Sequence, residues 1–92
     1  MKILYPSTQY KRDIKRYRKQ PKKMAKLNEV FRMLENEEPL PPELKAHFLK
    51  GELKGCMECH VENDFLLIWF DEESEVIELL RLGTHSELFN NK

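Results

Sequence analysis

The spacing of apolar residues changes along this chain, from a helical period in the first part to an extended period in the second. Between residues 8 and 20, apolar residues recur at i, i+4 and i+7 among basic ones, which predicts an amphipathic helix. Pro21 suits the first turn of a second helix, whose wider apolar stripe ends near Asn36. We expect the two helices to pair as a hairpin. The positions that carry these stripes are Tyr10, Ile14 and Tyr17, then Met24, Leu27, Val30, Phe31 and Leu34.

Short β-prone segments lie on both sides of the helices. Ile3 to Tyr5 is one such segment, and three prolines between residues 37 and 46 predict a connector without a further element. The last third of the chain predicts three strands joined by tight turns, at residues 53–61, 65–70 and 75–82. The expected fold is therefore α+β, a single domain over residues 1–92 with the order β-α-α-β-β-β and an antiparallel meander covered by the helices.

Charge is divided unevenly between these two parts, although the formal net charge of the whole chain is zero. Residues 1–36 hold 11 Lys or Arg against 3 Asp or Glu, a balance of +8, and residues 37–92 hold 5 against 13, a balance of −8. The basic part can meet phosphate, or its charges can be ordinary solvated helix faces.

The chain has no apolar stretch of the kind that targets or anchors a protein to a membrane. Its longest apolar run, residues 65–70, is far too short to cross a bilayer, and the first residues lack the pattern of a signal peptide. Two cysteines fit a reducing compartment better than a disulfide framework. We therefore expect a soluble, cytoplasmic protein with no membrane partner.

Three histidines, His47, His60 and His85, are the strongest chemical signal in the sequence. Imidazole both takes and gives a proton near neutral pH, so histidines that converge in a fold suggest proton-transfer chemistry. Glycines or an acid accompany each of them, and Asp64 follows His60 across a predicted turn. The arrangement predicts an active site, provided that the sheet brings these segments together.

The segment Cys56-Met57-Glu58-Cys59-His60 spells a motif of covalent haem attachment, C-x-x-C-H. A zinc site is a second interpretation, in which His47 and His85 complete four ligands with the two cysteines. Both are weakened by the predicted strand, in which residues three apart point to opposite faces. Packing of the two small thiols in the interior is favoured over both sites.

Several motifs in fixed order resemble the YafQ branch of the RelE/ParE superfamily of bacterial toxin–antitoxin toxins, which are ribosome-dependent mRNA interferases. The resemblance covers nearly the whole chain and agrees with the predicted order of elements. It is carried by His47-x-x-x-Gly51-x-x-Lys54-Gly55, His60-Val61-Glu62-x-Asp64, Leu67-Ile68 and Arg81-x-Gly83-Thr84-His85-x-x-Leu88-Phe89.

This resemblance implies a small twisted antiparallel sheet packed on an N-terminal helical hairpin, and an endoribonuclease that cuts mRNA in the ribosomal A site with no metal or cofactor. The implied partners are a cognate antitoxin, the ribosome with its mRNA, and operator DNA only through the antitoxin complex. The implied catalytic residues are His47, His60, Asp64 and His85, and the implied RNA-binding residues are Lys50, Lys54, Arg81 and Phe89.

Cleavage next to a ribose 2′-hydroxyl needs a base, a cation near the phosphorane and an acid. The working hypothesis makes His47 the base and His85 the acid, with His60 and Asp64 acting together to orient or stabilise. In the same hypothesis Arg81 or Lys54 faces phosphate and Phe89 stacks on a base. Glu52, Glu58 and Glu62 lie close to the proposed site, where they either raise histidine pKa values or repel phosphate.

Two other functions stay open on the sequence. One is a non-enzymatic ParE-like inhibitor of a protein target such as gyrase, and the other is an inert module that only binds its antitoxin or nucleic acid. Retained histidines favour the nuclease.

Overall fold

The most apolar segment of the chain forms the central strand of a five-stranded sheet, with strand order β1-β5-β4-β3-β2. The computed structural model describes residues 1–89, without the side chain of residue 52. Its elements are β1 (Ile3–Pro6), α1 (Thr8–Ile14), α2 (Pro21–Glu35), β2 (His47–Phe48), β3 (Met57–Glu62), β4 (Phe65–Asp71), β5 (Val76–Gly83) and α3 (His85–Phe89). Short 3₁₀ turns cover Pro42–Leu44 and Gly51–Leu53.

The predicted α+β fold is confirmed, with differences at the edges of the sheet. Strands β3, β4 and β5 form the expected antiparallel meander. Strand β1 pairs in parallel with β5, so Ile3 lies beside Val76, and the crossover between them contains both helices. Strand β2 adds a fifth strand by pairing with the start of β3, where a longer β3 had been predicted from residue 53.

Helix α1 is shorter than predicted and ends at Ile14. The amides of Arg16 and Tyr17 donate to carbonyls three residues back, at 3.1 and 3.0 Å, so the chain tightens into turns before Pro21. Tyr17 nevertheless reaches the core, where it is 6% exposed. Helix α2 spans the predicted residues, and its Phe31 ring lies 6.3 Å from that of Tyr10 on α1.

The sheet buries apolar side chains on both faces. The larger cluster lies under α1 and α2 and includes Leu27, Phe65 and Leu82, all fully buried. A smaller cluster on the opposite face joins Leu66 and Ile68 to Leu88 of α3. This second cluster attaches α3 to the sheet face that the two long helices leave uncovered.

Helix α1 also completes the hydrogen bonding of β5 beyond the reach of β1, whose pairing with β5 ends at Leu79. The Ser7 hydroxyl donates to the Leu80 carbonyl at 3.1 Å, and Asp13 Oδ2 accepts from the Leu82 amide at 2.9 Å. The same Asp13 oxygen accepts from Arg81 Nε at 2.8 Å, and the Asp13 side chain is only 1% exposed. The buried Asp13 carboxylate therefore accepts a backbone hydrogen bond that β1 does not reach, and it fixes the end of β5.

No helix among the described residues is long and apolar enough to cross a membrane.

Candidate active site

The three histidines come together from β2, β3 and α3. The ring centroid of His60 lies 6.5 Å from that of His47 and 5.6 Å from that of His85. The Phe89 ring continues the row, with its centroid 6.4 Å from His85. His60 lies opposite Leu66 in the β3–β4 pair, so alternation places it on the sheet face against which α3 packs. The predicted convergence of the histidine segments is confirmed.

Asp64, in the turn between β3 and β4, binds His85. Its Oδ1 accepts from the His85 backbone amide at 2.9 Å and lies 2.7 Å from His85 Nδ1. The backbone and ring hydrogen bonds from His85 hold the pKa of Asp64 below its ordinary value. The hydrogen bonds of Asp64 thus go to His85, which begins a helix whose first amide points at the carboxylate, and the charge of His60 acts on Asp64 without a hydrogen bond.

His47 makes polar contacts through both ring nitrogens. Its Nδ1 lies 2.7 Å from the Lys45 carbonyl, and its Nε2 lies 3.2 Å from Glu58 Oε1. Lys45 has a left-handed backbone, with φ of 54°, which turns its carbonyl toward the ring. Because both facing atoms are acceptors, only the doubly protonated imidazolium donates to both.

Glu58 is the site residue whose role the sequence left undecided. Its side chain is 5% exposed, and Oε2 is a buried oxygen with no hydrogen-bond partner among the described residues. Register explains the contact, since His47 and Glu58 are directly paired between β2 and β3. Glu58 therefore places a buried carboxylate oxygen beside the ring of His47.

His60 differs from its two neighbours, because its half-buried ring forms no hydrogen bond to any of the described residues. It lies between the two carboxylate-paired histidines. The row therefore contains three imidazoles with different contacts. His47 is contacted at both ring nitrogens and His85 at Nδ1 alone, whereas His60 has no hydrogen bond to the described residues.

A reciprocal cap fixes helix α3, which carries His85 and Phe89. The Glu87 amide donates to Thr84 Oγ1 at 3.1 Å, and Glu87 Oε1 accepts from the Thr84 amide at 2.9 Å. The hydroxyl of Tyr17 also donates to Glu87 Oε1. A Cβ at Gly83 would lie 2.5 Å from this oxygen, so a side chain there would displace the Glu87 carboxylate.

In this cap the pKa of Tyr17 is raised and the pKa of Glu87 is lowered. Burial raises the pKa of Tyr17, and the hydrogen bond to Glu87 raises it further. Burial also acts to raise the pKa of Glu87, but hydrogen bonds from Tyr17 and Thr84, with the charge of Arg16, outweigh it and lower that pKa. Glu87 is therefore an ionised acceptor that joins α3 to the segment after α1.

The predicted RNA-binding residues occupy different surroundings. Lys50 and Lys54 are exposed at the two ends of the 3₁₀ turn Gly51–Leu53, and Phe89 is 41% exposed beside His85. The Arg81 side chain is 27% exposed and forms its ion pair with buried Asp13. Arg81 thus has a structural partner. Of the three predicted RNA-binding cations, Lys50 and Lys54 are the ones with exposed side chains.

Glu62 is directed away from the histidines and toward α2. Its carboxylate lies 2.6 Å from Lys23 Nζ and 3.4 Å from Lys26 Nζ. The hydrogen bond from Lys23 is the main cause that lowers the pKa of Glu62, and Lys26 lowers it further. Of the three acids that the sequence placed near the site, Glu58 contacts a histidine, Glu62 is neutralised by the basic helix, and the side chain of Glu52 lies outside the described part of the structure.

The two cysteines lie in different clusters on opposite sides of the sheet, as strand alternation predicted. Cys59 is fully buried beneath the helices, where burial and the charge of Glu58 raise its pKa to about 12. Cys56 belongs to the cluster under α3. Among the side chains that the structure describes, no three His, Cys, Asp or Glu are grouped so that they could hold a metal ion. This placement contradicts the zinc and haem interpretations, because both require the two thiols on one side.

Comparison with known proteins agrees with these features. The model of a family described as "Bacterial toxin of type II toxin-antitoxin system, YafQ" matches residues 2–90. A curated relative, the mRNA interferase toxin YafQ of Escherichia coli K12, is 39% identical over 84 residues, which cover 90% of each chain. The crystal structure of the E. coli DinJ–YafQ complex contains a chain that is 34% identical, with a TM-score of 0.84 and coverage of 97% of this chain and 99% of that one. A metal-bound toxin from Helicobacter pylori is 38% identical, with a TM-score of 0.86 and coverage of 97% and 100%.

Proposed function

The chain belongs to the YafQ family of bacterial type II toxin–antitoxin toxins, and we propose that it is an endoribonuclease that cleaves mRNA at the row formed by His47, His60 and His85. The observation that carries this proposal is that three adjacent imidazoles have three different sets of hydrogen-bond partners. The activity named for the E. coli relative, mRNA interferase, supports it.

The proposed reaction is a transesterification that needs no metal. A base takes the proton of the ribose 2′-hydroxyl, and the resulting oxygen attacks the adjacent phosphorus. The bond from phosphorus to the 5′-oxygen breaks, and an acid protonates that oxygen. The products are a 2′,3′-cyclic phosphate and a 5′-hydroxyl, so atoms and charge balance without an external oxidant, reductant or cofactor.

The hydrogen-bond partners of the three histidines support a separate proposed role for each. His60 is the base, because its ring forms no hydrogen bond to the residues that the structure describes and can take a proton. His85 is the acid, because its contact with Asp64 at Nδ1 orients the ring and leaves Nε2 to deliver the proton. His47, contacted by the Lys45 carbonyl and Glu58, is the cation that offsets charge on the phosphorane. This proposal gives His47 a different role from the base that the sequence suggested.

Substrate contacts are proposed from the exposed residues that flank this row. Phe89, next to His85, stacks on a base of the mRNA, and Lys50 and Lys54 contact its phosphates. The basic helices contact ribosomal RNA, and cleavage takes place in the ribosomal A site. Counterion release would make this association weaken steeply with salt.

A cognate antitoxin is the proposed protein partner, supported by the solved complexes of DinJ with YafQ. We further propose that operator DNA is contacted only through the complex with that antitoxin.

The test compares wild type with His60→Ala, His85→Ala and Ser86→Ala on a translating ribosome complex and on free mRNA, with and without a chelator. Ser86 is the matched control, because it is exposed on the same short helix as His85. We expect each histidine substitution to reduce cleavage on the order of 10²- to 10⁴-fold, whereas Ser86→Ala cuts like wild type.

Mapping of the RNA ends identifies the chemistry. Cuts that end in a 2′,3′-cyclic phosphate or its 3′-phosphate, that depend on the histidines and that persist with chelator, support the proposal. Full cutting by His85→Ala would refute the role of that residue. Absence of cleavage together with inhibition of gyrase would support the non-enzymatic function instead.

A further inference from the structure

A cleft lies beside the histidine row, at the edge of the sheet that β2 leaves uncovered. Strand β2 pairs only with Met57 and Glu58, so residues 59–62 of β3 have no neighbouring strand on that side in the described sheet. Helix α2 and the 3₁₀ turn Pro42–Leu44 form the facing walls, and the volume between them is about 350 Å³. Protein pockets for small ligands have volumes of roughly 300–1,000 Å³, so this cleft suits a ligand the size of one nucleobase.

The cleft reaches the active site around the edge of β3. Both His60 and Val61 line it. Consecutive residues of a strand point to opposite faces of the sheet, so a cleft that meets both residues extends from one face to the other. On one face it meets the core under α2, where Val61 is 4% exposed. On the other face it meets His60, so a ligand in the cleft is adjacent to the proposed base.

Lys45 joins the cleft to a second member of the histidine row. The residue lines the cleft, and its backbone carbonyl lies 2.7 Å from His47 Nδ1. Its left-handed backbone, with φ of 54°, is uncommon for a residue with a side chain, and such conformations cluster at binding and catalytic sites. Two of the three histidines therefore either line the cleft or contact a residue that does.

The walls of the cleft combine apolar surface with carboxylates that have no other partner. Val30 and Met33 of α2, with Leu44 of the 3₁₀ turn, supply apolar surface from two sides. Glu29 and Glu43 also line the cleft, and neither carboxylate forms an ion pair with the described residues. Proteins that read single-stranded RNA pack side chains on the faces of a base and hydrogen-bond its edges. The cleft offers both kinds of contact.

Hydrogen bonding selects among the bases. Adenine and guanine each carry an amino group that donates to a carboxylate such as Glu29 or Glu43, whereas uracil has none. Cytosine has an amino group too, but its single ring covers less apolar surface than the two rings of a purine. Lys45 and Asn63, which also line the cleft, supply donors for the acceptor atoms of the base edge. The composition of the cleft therefore favours a purine.

We propose that this cleft binds the base of the nucleotide on the 5′ side of the cut, and that it selects a purine there. The inference deepens the nuclease function proposed above and rests on it. The 2′-hydroxyl that His60 activates belongs to this nucleotide, so its base lies on the side of His60, in the cleft. Phe89 lies beyond His85, the proposed acid for the 5′-oxygen of the next nucleotide, and receives the base of that nucleotide. The mRNA thus crosses the histidine row in one direction, with its 5′ side at the cleft and its 3′ side at Phe89.

The test uses translating ribosome complexes whose mRNAs differ in one nucleotide, the one on the 5′ side of the mapped cut. That position carries adenosine, guanosine, cytidine, uridine or purine riboside, which has the two rings of a purine without an amino group. The cleft variant is the double substitution Glu29→Ala and Glu43→Ala. The control is Glu72→Ala with Glu75→Ala, which makes the same change in net charge at exposed residues away from the cleft.

We expect wild type and the control to cut after adenosine or guanosine about tenfold or more faster than after uridine, because hydrogen bonds to a base edge discriminate to that extent. Wild type should cut after purine riboside about tenfold more slowly than after adenosine, whereas the cleft variant should cut after both at the same rate. This ratio reports contact with the amino group, since a misfolded variant cuts both substrates more slowly. Circular dichroism should match wild type for both double variants.

Equal cutting by wild type after all five nucleotides would overturn the inference and leave the nuclease function intact. A purine preference that the cleft variant keeps in full would also overturn it, because the selection would then come from elsewhere. Absence of cleavage by wild type on every substrate would overturn the nuclease function itself, and the inference with it.

Discussion

Replacement of Glu87 by alanine should both destabilise the protein and displace His85, the proposed acid. Glu87 caps α3 through the Thr84 amide, and it accepts the hydrogen bond of the buried Tyr17 hydroxyl. Helix α3 has only five residues, a length at which a helix has little stability of its own. Its position therefore depends on contacts such as these, and His85 moves with it.

The expected loss is the sum of two effects. Loss of a helix cap costs about 1 kcal/mol. A buried hydroxyl left without a partner costs about 1–3 kcal/mol, and Tyr17 is 6% exposed. The ion pair with Arg16, whose side chain is 53% exposed, adds little. The free energy of unfolding should fall by about 2–4 kcal/mol, which corresponds to a drop in Tm of at least about 8 °C for a domain of this size.

Glu87→Gln separates the hydrogen bonds from the charge. The amide oxygen of Gln still accepts from Thr84 and Tyr17, so this variant should lose about 1 kcal/mol or less. Cleavage of mRNA below the melting transition should fall on the order of 10²-fold in Glu87→Ala, since a reacting group displaced by about 1 Å costs that much. Glu87→Gln should keep most of its activity.

Urea denaturation and ribosome-dependent cleavage are the two assays, with Ser86→Ala on the same helix as control. If Glu87→Ala unfolds at the same urea concentration as the control and cuts mRNA equally well, Glu87 does not hold α3 and the reasoning fails.

Three further predictions concern stability and burial. Asp13→Ala should lower the free energy of unfolding by about 3–5 kcal/mol in urea titrations, because it leaves Arg81 without its buried partner; a loss below about 1 kcal/mol would contradict this role. The lowered pKa values of Asp64 and Glu87 stabilise the fold fully above their unfolded pKa values, near about pH 4. This contribution disappears as the pH falls through the lower folded pKa values. The free energy of unfolding should therefore be flat near neutral pH and fall in acid, and it should fall less in Glu87→Gln. Cys59 should resist thiol reagents until the protein unfolds, as followed by mass spectrometry; rapid labelling of the native protein would show that this thiol is accessible.

Long elements with a clear apolar pattern could be predicted from the sequence. Helix α2 and strand β4 match their predicted ranges closely, because each buries a stripe or face that is visible as periodicity. The opposite orientation of Cys56 and Cys59 followed from strand alternation alone.

Short elements and contacts between strands could not be predicted in the same way. Strand β2, with two residues, has no detectable period, and its pairing with β3 is what brings Glu58 to His47. The parallel position of β1 depends on packing far away in sequence. Helix α3 did have a signal, since Thr84-x-x-Glu87 is a capping box, and its recognition would have placed the His85 amide where Asp64 binds it.

The parallel pairing of β1 with β5 fixes the order in which the protein can acquire activity during synthesis. Residues 3–6 emerge first, but their partner strand, residues 76–79, is made only after most of the chain. Loop closure over such a distance is slow compared with local folding. Helix α3 and His85 are made later still and dock on that completed end of β5. A nascent chain therefore carries no assembled histidine row, the proposed site of cleavage, while residues 76–89 remain to be added.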